Sequence, residues 1–478
     1  MRARRFRFQR RGGVVYLRRP MTTGHTFAAP QPPADTVREH VGRTLRLALP
    51  VMVARAGVLV LVAVDIAMTG RAGAVELAYY GLAMAPQVPM MLVGIGLLMG
   101  TVVMTAQAEG AGSPAECGAV WRVALVHAVT LGVLFMALSQ AGEWFLALVG
   151  QAPDLARGGG RVLVMFGWSL PAVLLYTATT FFLEGINRPA AGVVVMVFAN
   201  LLNFALNWLF IYGNGGAPAM GAEGAALATT LARWFMFLAI ATYALLRVDR
   251  ARYGIHGAIA DARALGRRLR RIGYPMGLGL GLETGSFAAM TLFAGLLGPT
   301  QVAAYQVAMS LVAVVFMCAI GFATAASVRV GNAVGRRDQG GVRLAGWVAL
   351  GLAASVLAAF GIVFRSVPDA LVGVYTSEPA VIAVAIPTVL VAGLILVFDG
   401  AQAVLMGALR GIADVWPATA LYFICFWLVM VPAGYLLGVA RAGGAPALMV
   451  AVGVGCAAAV VSLALRFHVV SRRAVARA

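Results

Sequence analysis

The 478-residue sequence contains no lysine; its 37 basic Lys/Arg positions are all arginine, its acids number 18, and charged residues make up 12% of the chain. So little charge cannot cover the surface of a water-soluble protein of this length. With 61% hydrophobic residues and a mean hydropathy of +0.88, the solvent must be lipid. Cysteine is scarce too: Cys117, Cys318, Cys425 and Cys456 are scattered, with no pair at metal or redox spacing, and read as small core residues. Also missing is any P-loop, HExxH, nucleophile elbow or CxxC pattern. An enzyme reading therefore has no support, no cofactor is expected, and energy must come from an ion gradient rather than from ATP on this chain.

What is present is a series of apolar runs, at 46–69, 77–104, 120–140, 159–183, 190–212, 222–247, 272–296, 301–330, 342–364, 380–408, 416–438 and 445–468. A membrane-crossing helix needs about 20 such residues, so these predict an all-α polytopic membrane protein of twelve spans with no soluble domain. An even count puts both termini on one side. Arg247, Arg250, Arg252, Arg263, Arg267, Arg268, Arg270 and Arg271 lie in the middle loop, and Arg336, Arg337 and Arg343 between spans eight and nine, which makes that side cytoplasmic. The net charge of +19 is thus a matter of topology and anionic lipid, and no nucleic-acid partner is expected. The first twenty residues carry Arg2, Arg4, Arg5, Arg7, Arg10, Arg11, Arg18 and Arg19 without the apolar stretch of a signal peptide. They are either a basic tail on anionic lipid or an untranslated stretch before a start at Met21.

Laying the second half over the first at an offset of 225 matches Pro50 with Pro275, Gly70 with Gly295, Gly73 with Gly298, Tyr80 with Tyr305, Met84 with Met309, Gly96 with Gly321 and Gly110 with Gly335. LEGINRP at 183–189 and MGALRGI at 406–412 pair at an offset of 222. Six spans separate equivalent positions, so the repeat is parallel, its pseudo-two-fold axis runs along the membrane normal, and two six-helix bundles face a central cavity. The expected division is a basic tail over 1–45, a first lobe over 46–247, a basic linker over 248–271, a second lobe over 272–468 and a tail over 469–478.

A carboxylate at mid-membrane costs about 2.5 to 3.5 kcal/mol on insertion scales, so each one needs a partner, a wet cavity or a proton. Asp65 in span one, Glu283 in span seven and Asp399 in span ten stand out. They could be paired structural acids, or coupling sites that exchange a proton or share a hard cation such as sodium with nearby amide and backbone oxygens. Asn203 and Asn207 are one turn apart on span five, with Asn200 just before them; Gln402 follows Asp399 by three residues. These amides could ligate an ion, or only join helices. Arg55, Arg233 and His127 are weaker signals of structural pairing, and Arg329 reads as an interface anchor. Met84, Met90, Met91, Met99 and Met104, with Phe287, Phe293, Phe316 and Phe322, would line an adaptable cavity for apolar cations or simply fill the core. The glycine runs near 94–100 and 277–281 allow close helix approach.

The motifs VDIAMTGRAG, TAQAEGAG, GINRP, NLLNFALNWLFIYG, GAEGAALAT, LETGSF, VAAYQVAM, ASVRVGNAVG and VFDGAQAVLMGALRG occur in that order. Through them the chain, from about residue 44 to 468, resembles the multidrug and toxic compound extrusion family and its NorM-type branch. The resemblance implies a V-shaped fold in the bacterial inner membrane and antiport of small organic cations, multiple drugs among them, against sodium or protons. By position it implies that Asp65, Asn203, Asn207 and Thr229 form a polar cluster in the first lobe, and that Glu283 and Asp399 are cation-coupling acids in the second, with sodium possible there. Gln402 looks like the glutamine of the same span-ten motif. Arg71 and Tyr305 depart from the family, which more usually has an apolar residue and a histidine there; Tyr305 is kept among the cavity residues. The partners expected are the bilayer and the small-molecule substrate, the protein acting as a monomer. A lipid-linked precursor flippase of the same superfamily, or a structural or channel-like membrane protein, are the alternatives.

Overall fold

The computed structural model describes residues 37–473, apart from 258 and 260. The arginines of the first twenty residues and Met21 lie outside the described residues, as does the end of the 469–478 tail. In lipid every backbone group must be satisfied within the chain, which favours helices, and no strand occurs among the described residues. Twelve long helices follow one another: α1 Val37–Ala72, α2 Ala74–Gly110, α3 Pro114–Ser139, α4 Pro153–Gly185, α5 Ala190–Phe210, α6 Gly221–Arg247, α7 Ala262–Leu296, α8 Pro299–Gly335, α9 Gln339–Ser366, α10 Pro379–Ile412, α11 Val415–Ala440 and α12 Gly444–Val470.

Eleven of these are long and apolar enough to cross a membrane by length and composition; α7 is the other, diluted by Gly273, Gly277, Gly279, Gly281 and Gly285 and by Glu283. It begins inside the stretch expected as a linker. Asp261 caps it, its carboxylate accepting from the Ala264 amide at 2.8 Å, so Arg263 to Arg271 wind along its first turns.

The duplication is visible element by element. Helices α2 and α8 both span 37 residues, and their first residues, Ala74 and Pro299, are 225 apart. Gly73 and Gly298, at φ of 149° and 103°, make the single-residue turns before them, a backbone that side chains rarely adopt. Glu76 accepts from the Ala222 amide at 2.7 Å, and Gln301 accepts from the Ala445 amide at 2.7 Å. The helices α4 and α10 end on left-handed Asn187 and Ala413, so there the repeats register at 226 rather than the expected 222. Gly185 therefore corresponds to Gly411, not Gly407.

Helices α1 to α6 and α7 to α12 form two lobes that touch along α1 and α2 on one side and α7 and α8 on the other. Small residues let the backbones close: a Cβ on Gly96 would strike Gly277, and one on Gly321 would strike Met52 and Ala48. At the arginine-rich end the contact is reciprocal, Gly110 lying against the backbone of Asn332 and Gly335 against that of Gln107. At the other end Gly73, Gly295 and Gly298 have nothing within 4 Å, and the lobes diverge into a V.

The helices are inside-out relative to water-soluble ones. On α5, Leu201, Phe204 and Trp208 are 63%, 55% and 51% exposed, while Asn203 and Asn207 are fully buried. The lipid-facing stripe is apolar and the amides are held inside, where they have partners.

Candidate functional site

Two buried polar clusters and a cavity between the lobes hold most of the intramembrane polarity. In the first lobe, Asp65 of α1 is buried among α2, α5 and α6. Asn207 donates to one of its carboxylate oxygens at 2.6 Å; Thr229 donates to the other at 2.5 Å, with the Tyr80 hydroxyl 3.4 Å away. Asn207 also donates to Asn203 at 3.1 Å, and Asn203 to Thr229 at 3.3 Å, which closes a ring around the acid. All the hydrogen-bond donors to Asp65 are neutral. Arg233 lies one turn beyond Thr229, yet its guanidinium donates to the Ser169 hydroxyl at 2.7 Å and lies over the Phe166 ring.

Asn200 stays outside the ring. Its amide donates to the carbonyls of Gly57 at 3.1 Å and Met196 at 2.9 Å, binding α5 to α1. In the second lobe Trp427 does the same for α11, donating to the Leu282 carbonyl at 2.9 Å; Leu282 is the repeat equivalent of Gly57.

The second lobe's cluster gathers Glu283 of α7, Asp399 and Gln402 of α10, and Tyr422 of α11. The Gln402 amide nitrogen donates to Glu283 at 3.1 Å and stands 3.5 Å from Asp399, so one NH₂ sits between two carboxylates. The Gln402 oxygen accepts from the Tyr422 hydroxyl, and the Cys456 thiol lies 3.6 Å from Asp399. Tyr422 immediately precedes a widened π-helical stretch, Phe423–Met430. Tyr305 is fully buried and its hydroxyl has no hydrogen-bond partner among the described residues.

Between the lobes is a cavity of about 180 Å³. Glu283 and Tyr422 line it, with Arg410 from the second lobe and Arg55, Phe181 and Glu184 from the first. Arg55 approaches Glu184 at 3.8 Å and lies over the Phe181 ring, 5.9 Å from its centre. Met99 and Phe316 line the cavity as well, whereas Met104 and Phe322 are packed in the core.

Glu184 was not singled out from the sequence: its position just before the NRP turn reads as a helix end, although an acid after the apolar run TTFFL was a usable signal. His127 is structural, its Nδ1–H donating to the Val123 carbonyl at 2.9 Å and its Nε2 accepting from Arg270 at 2.8 Å. Arg329 is no surface anchor. It is buried and ties α8 to α1, as described below.

The family model described as MatE matches residues 50–209 and again residues 275–436, two copies whose starts are 225 apart. A protein named probable multidrug resistance protein NorM from Caulobacter vibrioides is 35% identical over 461 residues, covering 96% of this chain and 98% of that one. The multidrug resistance protein NorM of Vibrio cholerae is 30% identical over 405 residues, covering 84% of this chain and 88% of that one. Among solved structures, an outward-facing multidrug resistance MATE transporter of the MOP superfamily superposes with a TM-score of 0.84 at 18% identity, covering 90% of this chain and 96% of the other. A eukaryotic MATE transporter gives 0.82 at 19% identity, covering 90% and 96%. At such identities the superpositions speak for the fold alone.

Proposed function

Since the chain belongs to the MatE family, we propose that it exports small organic cations, drugs among them, in exchange for inward sodium or protons. The observation that carries this reading is the amide of Gln402 held between the carboxylates of Glu283 and Asp399 beside the interlobe cavity. A neutral donor shared by two acids is exchangeable for a cation: a proton on one carboxyl, or a sodium ion gathered by carboxylate oxygens, which suit a hard cation. Among the described residues no trio of His, Cys, Asp and Glu is placed to hold a metal ion, so sodium would draw on these two acids and on amide or hydroxyl oxygens, as suits an ion that must also leave.

The arginine-rich end, where the lobes touch, is proposed to be cytoplasmic, with both termini there, in the bacterial inner membrane. The V is then open to the outside. In this state the coupling cation binds at Glu283 and Asp399, and drug, losing its counter-charges, is released. Exchange requires drug and ion to prefer different states, because a ligand of equal affinity for both shifts nothing. One cation entering through 100 mV supplies about 2.3 kcal/mol, enough to drive appreciable export. Asp65 and its ring of Asn203, Asn207 and Thr229 form a second coupling site in the same scheme.

The test is efflux from proteoliposomes under separate sodium and proton gradients, for the wild type and Asp399→Asn. Export driven by one gradient and lost in the variant names the ion. Arg55 and Arg410 at the cavity would also suit an anionic cargo. Failure of every organic cation to move under either gradient would therefore favour a lipid-linked precursor flippase.

A further inference from the structure

A second interlobe cavity, of about 430 Å³, opens at the arginine-rich end. Its walls come from both lobes: His40, Arg43 and Arg46 on α1, and Arg329, Asn332 and Arg336 on α8. Gly341, in the first turn of α9, faces it too. Glu109 is the lining carboxylate, and it is already engaged by Arg252 at 3.7 Å and by the Tyr253 hydroxyl at 3.3 Å. Four guanidiniums line the cavity.

The geometry within the cavity is built rather than incidental. Arg329 is buried and donates to the His40 carbonyl at 2.8 Å, the Thr44 hydroxyl at 2.6 Å and His40 Nδ1 at 2.5 Å. Arg336 reaches Asp338 only at 3.8 Å, while the Asp338 carboxylate accepts from the Gly341 amide at 2.8 Å. Arg46 has no hydrogen bond or ion pair with any described residue. A guanidinium fork matches phosphate oxygens in pairs, and several around one cavity at a membrane edge form a site for a phosphate group.

We propose that this cavity binds a phosphate-bearing anion that bridges α1 of the first lobe and α8 of the second. The anion is either the headgroup of an anionic lipid or a small soluble phosphate ester, the chemistry of recognition being the same. Bound there, it fastens the lobes at the end where they already touch, and it must leave before that end can part.

The experiment measures the melting temperature of the purified full-length protein in detergent, with added phosphatidylglycerol, phosphatidylcholine or glycerol 3-phosphate. It compares the wild type with Arg46→Gln/Arg336→Gln and with Arg157→Gln, a control at the opposite end. The expected result is a rise of several degrees with phosphatidylglycerol in the wild type and the control, with half-saturation needing roughly tenfold more lipid in the double variant. The same pattern with glycerol 3-phosphate and not with lipid assigns a soluble ligand. Should the double variant fail to fold, Arg46→Gln alone, which removes no hydrogen bond or ion pair among the described residues, carries the comparison. Equal shifts in wild type and variant, or no shift with either phosphate probe, overturn the proposal. Binding is the readout, so the result is independent of any transport assay.

Discussion

Glu184 and Arg410 occupy equivalent places in the two repeats, each three residues before the left-handed residue, Asn187 or Ala413, that ends its helix. One slot therefore carries an acid in the first lobe and a base in the second. On the facing helices the order is reversed, with Arg55 on α1 and Glu283 on α7. The duplicated halves share a backbone and exchange their charges across one cavity.

Removing Arg55 should expose this arrangement's cost. The Arg55→Leu variant leaves the buried Glu184 carboxyl without the guanidinium now 3.8 Å away, and should lose about 3 kcal/mol of stability. The double variant Arg55→Leu/Glu184→Leu should recover most of it, because the acid that needed compensation is gone. Unfolding in detergent, followed by tryptophan fluorescence, reads both; a double variant as weak as the single would refute the pairing.

The ring around Asp65 predicts selective coupling. A double-mutant cycle between Asp65→Asn and Thr229→Val should give roughly 1 to 3 kcal/mol of interaction, reflecting their 2.5 Å hydrogen bond. The same cycle with Asn200→Leu should stay within about 0.5 kcal/mol, since Asn200 bonds backbone carbonyls instead. Comparable values for both cycles would mean that Asn200 belongs to the cluster.

Across the seam, Gly335→Ala should be costly and Gly295→Ala nearly silent. A methyl on Gly335 meets the backbone of Gln107 and Gly110 in the other lobe, whereas one on Gly295 meets nothing within 4 Å. Overpacking of this kind costs about 1 to 3 kcal/mol. A cysteine-accessibility assay at Arg336→Cys should also show faster labelling in the Gly335→Ala background, because the lobes are pushed apart there.

At the α10 terminus, Ala413→Gly should stabilise the protein by about 1 kcal/mol. Alanine stands at φ of 65°, a left-handed position that penalises a Cβ and suits glycine. A lower melting temperature in this variant would contradict that conformation.

Much of this was legible in the sequence because membrane insertion makes apolar run length speak directly for helices. Ten of the twelve runs fall inside helices, with 120–140 and 190–212 overrunning theirs by one and two residues, and the offset of 225 recurs in the turns before α2 and α8 and in the family match. The approach of the span-five amides to Asp65 was readable too, since acids and amides inside apolar runs have few places to go, whereas Thr229 entered only through the family resemblance. Less was visible where chain position and space part company. Asn200 shares a helix face with Asn203, but a one-turn shift along the axis brings it against the α1 backbone. Glu184 and Arg329 sit near helix ends, where a charge ordinarily reaches water, yet both are buried, Arg329 against α1 of the opposing lobe. The 222 pairing of the half-ends failed because identical short residues can be matched in more than one register, whereas a left-handed backbone residue cannot.

Where Gly110 and Gly335 bring the two lobes together, what meets is largely main chain. Around that contact the apolar side chains of α1 and α2 pack with those of α8 in one continuous core. At the contact itself, resistance to opening comes with a handful of directional bonds, from Arg329 to α1 and from Gln107 to the Gly411 carbonyl, which break one by one and re-form on return. A joint of that kind behaves as a catch rather than as glue.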